Sequence, residues 1–198
     1  MDLSKISAWQ NEYDPMTPLN ISKRDVYRLA DECAKKFEYS PADDLFKFIS
    51  DFNGDVHFLD VLEHSDIHGT IFVHEKGAEQ TAFDIILPSF TGPLRDRFTI
   101  AHEFGHYVLH YLLKQEEQAA GCMATRRDGD KALIPRLEWE ANWFASGFLM
   151  PTSELKRLAA DLDKKDSTDL TTVELGGRFD VSASAAEYRL AYHTDSKL

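Results

Sequence analysis

Apolar residues recur at helical spacing in SKRDVYRLADECAKKF, where Val26, Leu29, Ala30, Cys33 and Phe37 share one face and Ser22 stands in a capping position. A helix is therefore predicted from Ser22. A second is predicted in SPADDLFKFISDF, with Ser40 as the cap and Pro41 at the first helical position. The period then shortens. DVHFLDVL, GTIFVHEKG and QTAFDIILPSF are short, rich in β-branched and aromatic residues, and divided by polar or glycine-bearing breaks, which predicts a small sheet of about three strands. Their alternation is imperfect.

From Gly92 to Gln115, Leu94, Phe98, Ala101, Val108, Leu109 and Leu112 make a broad apolar stripe, so this segment is predicted to be a long, largely buried helix. Another helix begins near Pro135 and stops at Pro151. Residues 1–21, with Pro15, Pro18 and little periodicity, read as an irregular N-terminal arm, and Glu116 to Lys131 reads as a polar surface loop. The polar stretch DLDKKDSTD precedes a last pair of short helices in LTTVELGGRFDVSASAAEYRLAYH. Strands grouped in the middle of a helical chain predict an α+β fold. One compact domain is expected over residues 22–192, with the helical pair at 170–192 and a tail at 193–198.

Composition narrows the classes. A chain of 198 residues with 43% hydrophobic residues can bury one sizeable core. No run approaches the roughly 20 apolar residues that span a bilayer, and MDLSKISAWQNEYDP lacks the basic-then-apolar start of a signal peptide. A cytoplasmic protein without a membrane partner is expected. Cys33 and Cys122 form no spaced framework, which fits a reducing compartment and excludes a zinc site built from thiolates of this chain alone. The net charge of −12 argues against direct binding of nucleic acid, since phosphate contacts need clustered cations. The C-terminal pair has a helix-turn-helix outline, with Ser182 or Ser184 as cap and Ser184 and Glu187 spaced as a capping box. Its second helix offers one strong cation, Arg189, so it is expected to pack against the rest of the chain rather than read DNA.

RFTIAHEFGHYVLHYL carries the candidate chemistry. A hydrolytic zinc site needs three protein ligands and an open position for water. Side chains four residues apart share a helical face, so His102 and His106 can reach one ion. Glu103 lies about 100° further round, where it can miss the ion yet reach the water as a general base. The alternative is a polar patch on an ordinary helix, but three ionisable groups within an apolar stripe are costly to bury without a shared role. Gly105 costs about 0.5–1 kcal/mol relative to alanine in a helix, which predicts that some group, such as substrate or a neighbouring strand, approaches closely there.

The third ligand is sought on the helix after Pro135. Glu138 and Glu140 point about 200° apart, so only one can face the same ion. Glu138 shares its face with Asn142, Ala145 and Leu149, giving a carboxylate with an amide one turn on that can accept the ring N–H of a ligating histidine. Glu140 sits among positions that read as solvent-tolerant. Glu138 is favoured, with Glu140 the alternative. His110 drifts off the ligand face and reads as a structural hydrogen-bonding residue, and Arg97 as an anchor of the helix start. Tyr107, Tyr188, Tyr192 and His193 are candidates for stabilising an oxyanion, and the sequence does not select among them. Cys122 reads as an ordinary loop cysteine rather than an inhibitory thiolate.

RFTIAHEFGHYVLH and EWEANWFASGFLMP together resemble the ImmA/IrrE metallopeptidases, a family of phages, mobile elements and bacteria with the rough pattern R-F-T-x-A-H-E-x-G-H-x-x-x-H and then E-x-x-A-N-x-F-A-x-x-L-L-M-P. The likeness covers about residues 22–192. It implies a zincin-like domain and a gluzincin-like site in which His102, His106 and Glu138 bind Zn2+ and Glu103 activates water. It also implies a protein substrate, a helix-turn-helix repressor often encoded next door. Phe148 departs from the commoner leucine, and the segment from Lys114 to Arg136 is longer than in many members, so substrate contacts there do not carry over.

The expectation is a zinc endopeptidase acting on a cytoplasmic transcriptional regulator. Its selectivity is expected to come from the Glu116–Lys131 loop and an acidic surface. Two alternatives stand beside it. A non-proteolytic module with a vestigial metal site would sequester its partner, but such a site has no need of Glu103. A DNA-binding regulator using the C-terminal helices conflicts with the low basicity.

Overall fold

The computed structural model describes residues 3–41, 43–59, 69–74, 81–89, 91–114, 121–124, 134–163 and 171–195. Helix α1 (Leu3–Glu12) and strand β1 (Asp14–Pro15) occupy the segment expected to be irregular. Ile6 and Trp9 of α1 are buried against Leu59, Phe72, Ile86 and Met123, so the helix covers the outer face of the sheet. Their i, i+3 spacing was the available signal, and a ten-residue helix shows little more than two such positions.

Helix α2 (Lys23–Lys36) starts at the expected cap, with the Ser22 hydroxyl accepting the Asp25 N–H at 3.2 Å. Helix α3 (Leu45–Asp51) starts later than expected. Asp44 rather than Ser40 caps it, accepting the Phe46 N–H at 2.9 Å, while Asp43 takes the Ser40 N–H at 2.6 Å. The two carboxylates capture backbone donors locally and turn the chain before it can coil.

The three expected strands are β2 (Gly54–Leu59), β3 (Thr70–Val73) and β4 (Phe83–Pro88), and the short β1 and β5 (Cys122–Ala124) extend the sheet to five. The order is β1-β5-β3-β4-β2, with β2 parallel to β4, β1 parallel to β5, and β3 antiparallel to both β4 and β5. Every residue of β4 is buried: Phe83, Ile85 and Leu87 enter the main core, while Ile86 joins the cluster under α1. Burial on both faces removes the alternation that a half-exposed strand would show.

Three helices lie on the inner face: α2, α4 (Pro93–Gly105) and α5 (Ile134–Leu149). Phe48 of α3, Phe104 of α4, and Phe144 and Phe148 of α5 interlock, with ring centroids 5.4–6.2 Å apart. Glycines set how closely the helices approach. A Cβ at Gly147 would lie 2.8 Å from Tyr27 Cδ1 and 2.9 Å from the Ala30 Cβ. At Gly105 it would meet Phe144 Cδ1 at 3.0 Å and the Ala141 carbonyl at 3.3 Å, so the close approach expected there is made, by α5.

Helix α6 (Thr152–Asp163), not foreseen in the sequence, follows Pro151, and its first amide is accepted by Asp31 at 2.8 Å. The C-terminal pair is α7 (Thr172–Phe179) and α8 (Ala183–Asp195). The capping box belongs to Thr171 and Glu174 of α7, and Ser182 caps α8 by accepting the Ala185 N–H at 3.3 Å. Arg189 is 1% exposed. Its Nε donates to the Met150 carbonyl and its Nη2 to Thr152 Oγ1, both at 3.0 Å, and its guanidinium stacks over Tyr27. The strong cation of α8 thus docks the pair onto the domain and is withheld from any phosphate. Among the described residues no helix is long and apolar enough to cross a membrane. Most of Glu116–Lys131, and residues 164–170, lie outside the described residues.

Candidate metal centre

Pro93 opens α4 at its first turn, where a missing N–H costs nothing. Arg97 ties this start to the chain between α2 and α3, donating to the Tyr39 hydroxyl at 2.7 Å, the Pro41 carbonyl at 2.6 Å and the Asp43 carbonyl at 3.1 Å. After Gly105 the helix widens into a π-helical turn, His106–Tyr111, and ends in a 3-10 turn, Leu112–Lys114. The sequence reading expected one regular helix. Such turns cluster at functional sites because they re-aim side chains without ending the element.

Helix α5 crosses α4 at Gly105, which brings Glu138 and Asn142 against the histidines. His102 Nε2 and His106 Nε2 face each other at 3.1 Å, and the Glu138 carboxylate lies 3.5 Å from the first and 3.7 Å from the second. The far nitrogens are held from behind. His102 Nδ1 donates to Asn142 Oδ1 at 3.0 Å. His106 Nδ1 is 2.9 Å from His110 Nδ1, and His110 Nε2 is 3.0 Å from the Glu140 carboxylate.

This network assigns the tautomers. Glu140 accepts the proton of His110 Nε2, which leaves His110 Nδ1 to accept from His106 Nδ1–H. Both His102 and His106 then turn unprotonated Nε2 lone pairs toward Glu138. Two lone pairs and a carboxylate converging on one point repel each other unless a proton or a metal cation lies among them, and two imidazole nitrogens with a carboxylate are a donor set that fits a divalent metal. Their donor atoms all lie within 4.8 Å of one another.

The electrostatics agree. Burial pushes the His106 imidazole well below its ordinary range, and the neighbouring His102 and His110 add to this. Burial likewise lowers His110, outweighing the pull of Glu140. At His102 burial opposes the charged form, yet Glu138, Glu103 and Asn142 together raise its pKa. The acids of the cleft favour positive charge at this spot.

Glu103 is 4% exposed and borders the same cavity of about 410 Å³ as His102, His106, Glu138 and Asn142. Gly69 lies opposite at φ 129°, and a Cβ there would fall 2.7 Å from Glu103 Oε1. Only glycine lets the chain entering β3 pass so close to this carboxylate. Its place just before a strand was the signal, and nothing local linked it to Glu103. Arg95, Thr99 and Ala124 also line the cavity and were not singled out in the sequence.

The oxyanion candidates do not gather here. Tyr107 packs on Phe83, Tyr192 stacks on Tyr27, and Tyr188 accepts the Trp143 indole N–H at 2.7 Å in an adjoining groove. The His193 side chain lies outside the described residues. Cys122 is a buried residue of β5, with its thiol pushed up to about 11 first by burial and then by Asp14.

Glu140 corrects the sequence reading most. It is fully buried, and it accepts the Leu19 N–H at 2.9 Å, the Ile21 N–H at 3.2 Å and Arg136 Nε at 3.0 Å besides His110. Burial works against its ionisation, but His110, the Leu19 amide and Arg136 together hold its pKa below the ordinary value. The position is covered by the segment leading into α2, more than a hundred residues away in sequence.

A single α+β domain with a cleft able to hold a metal between two crossed helices is the class that fold and site define. The chain belongs to the peptidase M78 family, described as the IrrE N-terminal-like domain, whose model matches residues 52–191. The radiation response metalloprotease IrrE of Deinococcus deserti is 32% identical over 140 residues, covering 66% of this chain and 47% of that protein. Its Deinococcus radiodurans counterpart is 31% identical over 123 residues, covering 60% and 35%. The chain thus spans less than half the length of these relatives. A solved Mycobacterium tuberculosis transcriptional regulator shares the fold at a TM-score of 0.54 and 17% identity, over 96% of this chain and 51% of that one.

Proposed function

We propose that this protein is a zinc-dependent endopeptidase acting on a specific cytoplasmic protein, a helix-turn-helix transcriptional repressor. The carrying observation is the convergence of His102 Nε2, His106 Nε2 and the Glu138 carboxylate in the cavity that Glu103 borders. These three would hold the metal, with Asn142 fixing the His102 ring. When bound, the metal supplies Lewis-acid polarisation of a peptide carbonyl and lowers the pKa of water.

Glu103 takes a proton from the attacking water and passes it to the departing amine nitrogen. Its burial beside Gly69 keeps bulk water from competing for the carboxylate. The relay from His106 through His110 to Glu140 holds the ring against rotation, so the lone pair keeps its aim. The repressor as substrate rests on the family likeness, and a net charge of −12 suits a basic partner.

Substitution tests this directly. Glu103→Gln should retain one metal per chain and the fold while cleavage of a neighbouring-gene repressor falls at least about a hundredfold, in the range that general-base catalysis contributes. His102→Ala, His106→Ala and Glu138→Ala should each lose the metal. Cleavage retained by Glu103→Gln would remove the mechanism, and full metal occupancy without Glu138 would remove the ligand set.

A further inference from the structure

Beside the metal-centre cavity a second and larger one, of about 650 Å³, opens between α4, α5 and α8. The two adjoin, because Arg95, Phe98 and Asn142 line both. Asn142 is the residue that holds His102, so the larger groove begins one side chain from the candidate reaction centre. Its walls are apolar and open to solvent. Leu94 of α4, Trp139 of α5 and Tyr188 of α8 are 38%, 54% and 44% exposed.

Those exposures are costly for the fold alone. A tryptophan more than half exposed leaves apolar area in water that burial elsewhere in the chain would remove. The opposite wall is kept low by Ser182, Ser184 and Ala185 at the start of α8. The Trp143–Tyr188 hydrogen bond and the Arg189 clamp hold α8 at a fixed distance from α5. In a chain with 34 acidic residues, no acid lines this groove among the described residues, and Arg95 is its only charged group there.

The geometry points to this groove as the subsite that seats a large uncharged side chain, aliphatic or aromatic, of the peptide being cleaved. The inference rests on the peptidase reading and adds to it the substrate class and the selecting wall. The selecting wall of this groove is the C-terminal helix α8, while most of the loop expected to select substrate, Glu116–Lys131, lies outside the described residues. The volume lies within the range of small-ligand pockets and exceeds what one side chain fills, so the neighbouring peptide backbone enters with it. The shared Asn142 and Phe98 then carry that backbone into the metal-centre cavity.

Three hydroxamates test the assignment on the zinc-loaded full chain, with binding read by calorimetry rather than by turnover. Acetohydroxamate probes the metal alone, N-acetyl-leucine hydroxamate adds an apolar side chain, and N-acetyl-aspartate hydroxamate adds a charged one. The leucine compound should bind about tenfold tighter than the other two, as expected for partial burial of such a side chain. Trp139→Ser, at an exposed position, and Ser184→Glu, on the facing wall, should each cut that advantage to about threefold or less while leaving acetohydroxamate unchanged. Equal affinity for all three compounds would overturn the groove and leave the metal centre standing. A leucine preference without acetohydroxamate binding would support the groove and fault the metal centre. Failure of every compound to bind would overturn both, and a dimer that Trp139→Ser dissociates would make the groove a self-association face instead.

Discussion

Glutamine at position 140 is the most informative single change outside the cavity. In the wild type, Glu140 Oε1 accepts from the Ile21 amide at 3.2 Å and Arg136 Nε at 3.0 Å, while Oε2 accepts from the Leu19 amide at 2.9 Å and His110 at 3.0 Å. A glutamine amide keeps one oxygen and turns an NH2 group toward the other pair of donors. Whichever way it is flipped, two N–H groups face a donor instead of an acceptor. Each lost bond to a buried charged acceptor is worth about 1.5–3 kcal/mol, so the expected cost of two is about 3–6 kcal/mol. That is a third or more of the stability of an ordinary domain. Urea unfolding of the metal-free protein measures it, compared at an unchanged m-value. Glu138→Gln is the control: its carboxylate faces the cavity, where water can replace what is lost, and it should cost less than half as much. A Glu140→Gln variant within about 1 kcal/mol of wild type, or one less damaging than Glu138→Gln, would refute the reasoning.

Other consequences follow from particular contacts. Gly147→Ala drives a methyl to 2.8 Å from the Tyr27 ring and 2.9 Å from Ala30, so despite the helix propensity gained it should destabilise by about 1–3 kcal/mol in a thermal melt. Burial opposes ionisation of Asp84, but hydrogen bonds from His57, His74 and Thr81 outweigh it and hold its pKa below the carboxylate range. A lowered folded pKa contributes stability above the unfolded value of about 3.9 and loses it as pH falls below that. Asp84→Asn should therefore be less stable than wild type at pH 7, with the gap narrowing in acid; a gap that widens below pH 4 would contradict this sign. Arg189→Met removes the two hydrogen bonds that clamp α8 to Met150 and Thr152 and should cost about 2 kcal/mol or more, measured by denaturation. An undiminished stability would mean that the C-terminal pair is held by other contacts.

The candidate site was legible in the chain because its residues are local. His102, Glu103 and His106 lie on two turns of one helix, and Glu138 and Asn142 on two turns of another, so helical geometry alone groups each set. The helices that bear them, and the strands β2 to β4, were legible for the same reason: one apolar face repeats over enough residues to show a period. Tertiary structure decided what depends on a distant covering segment. Asn142 on its face set Glu138 apart from Glu140 along the helix, but only the return of Leu19 and Ile21 across α5 buries Glu140 where the sequence read a solvent-tolerant position. Helix α1 and strands β1 and β5 exist because the sheet presents them an apolar face and a strand edge, and two- or three-residue strands carry no period of their own. Gly105 announced a close approach without fixing the neighbour, and Gly69 was not singled out in the sequence. The groove beside the metal centre could not be read at all, since its walls come from three helices whose distance is set by Arg189 and the Trp143–Tyr188 pair, contacts that span about 40 residues of sequence.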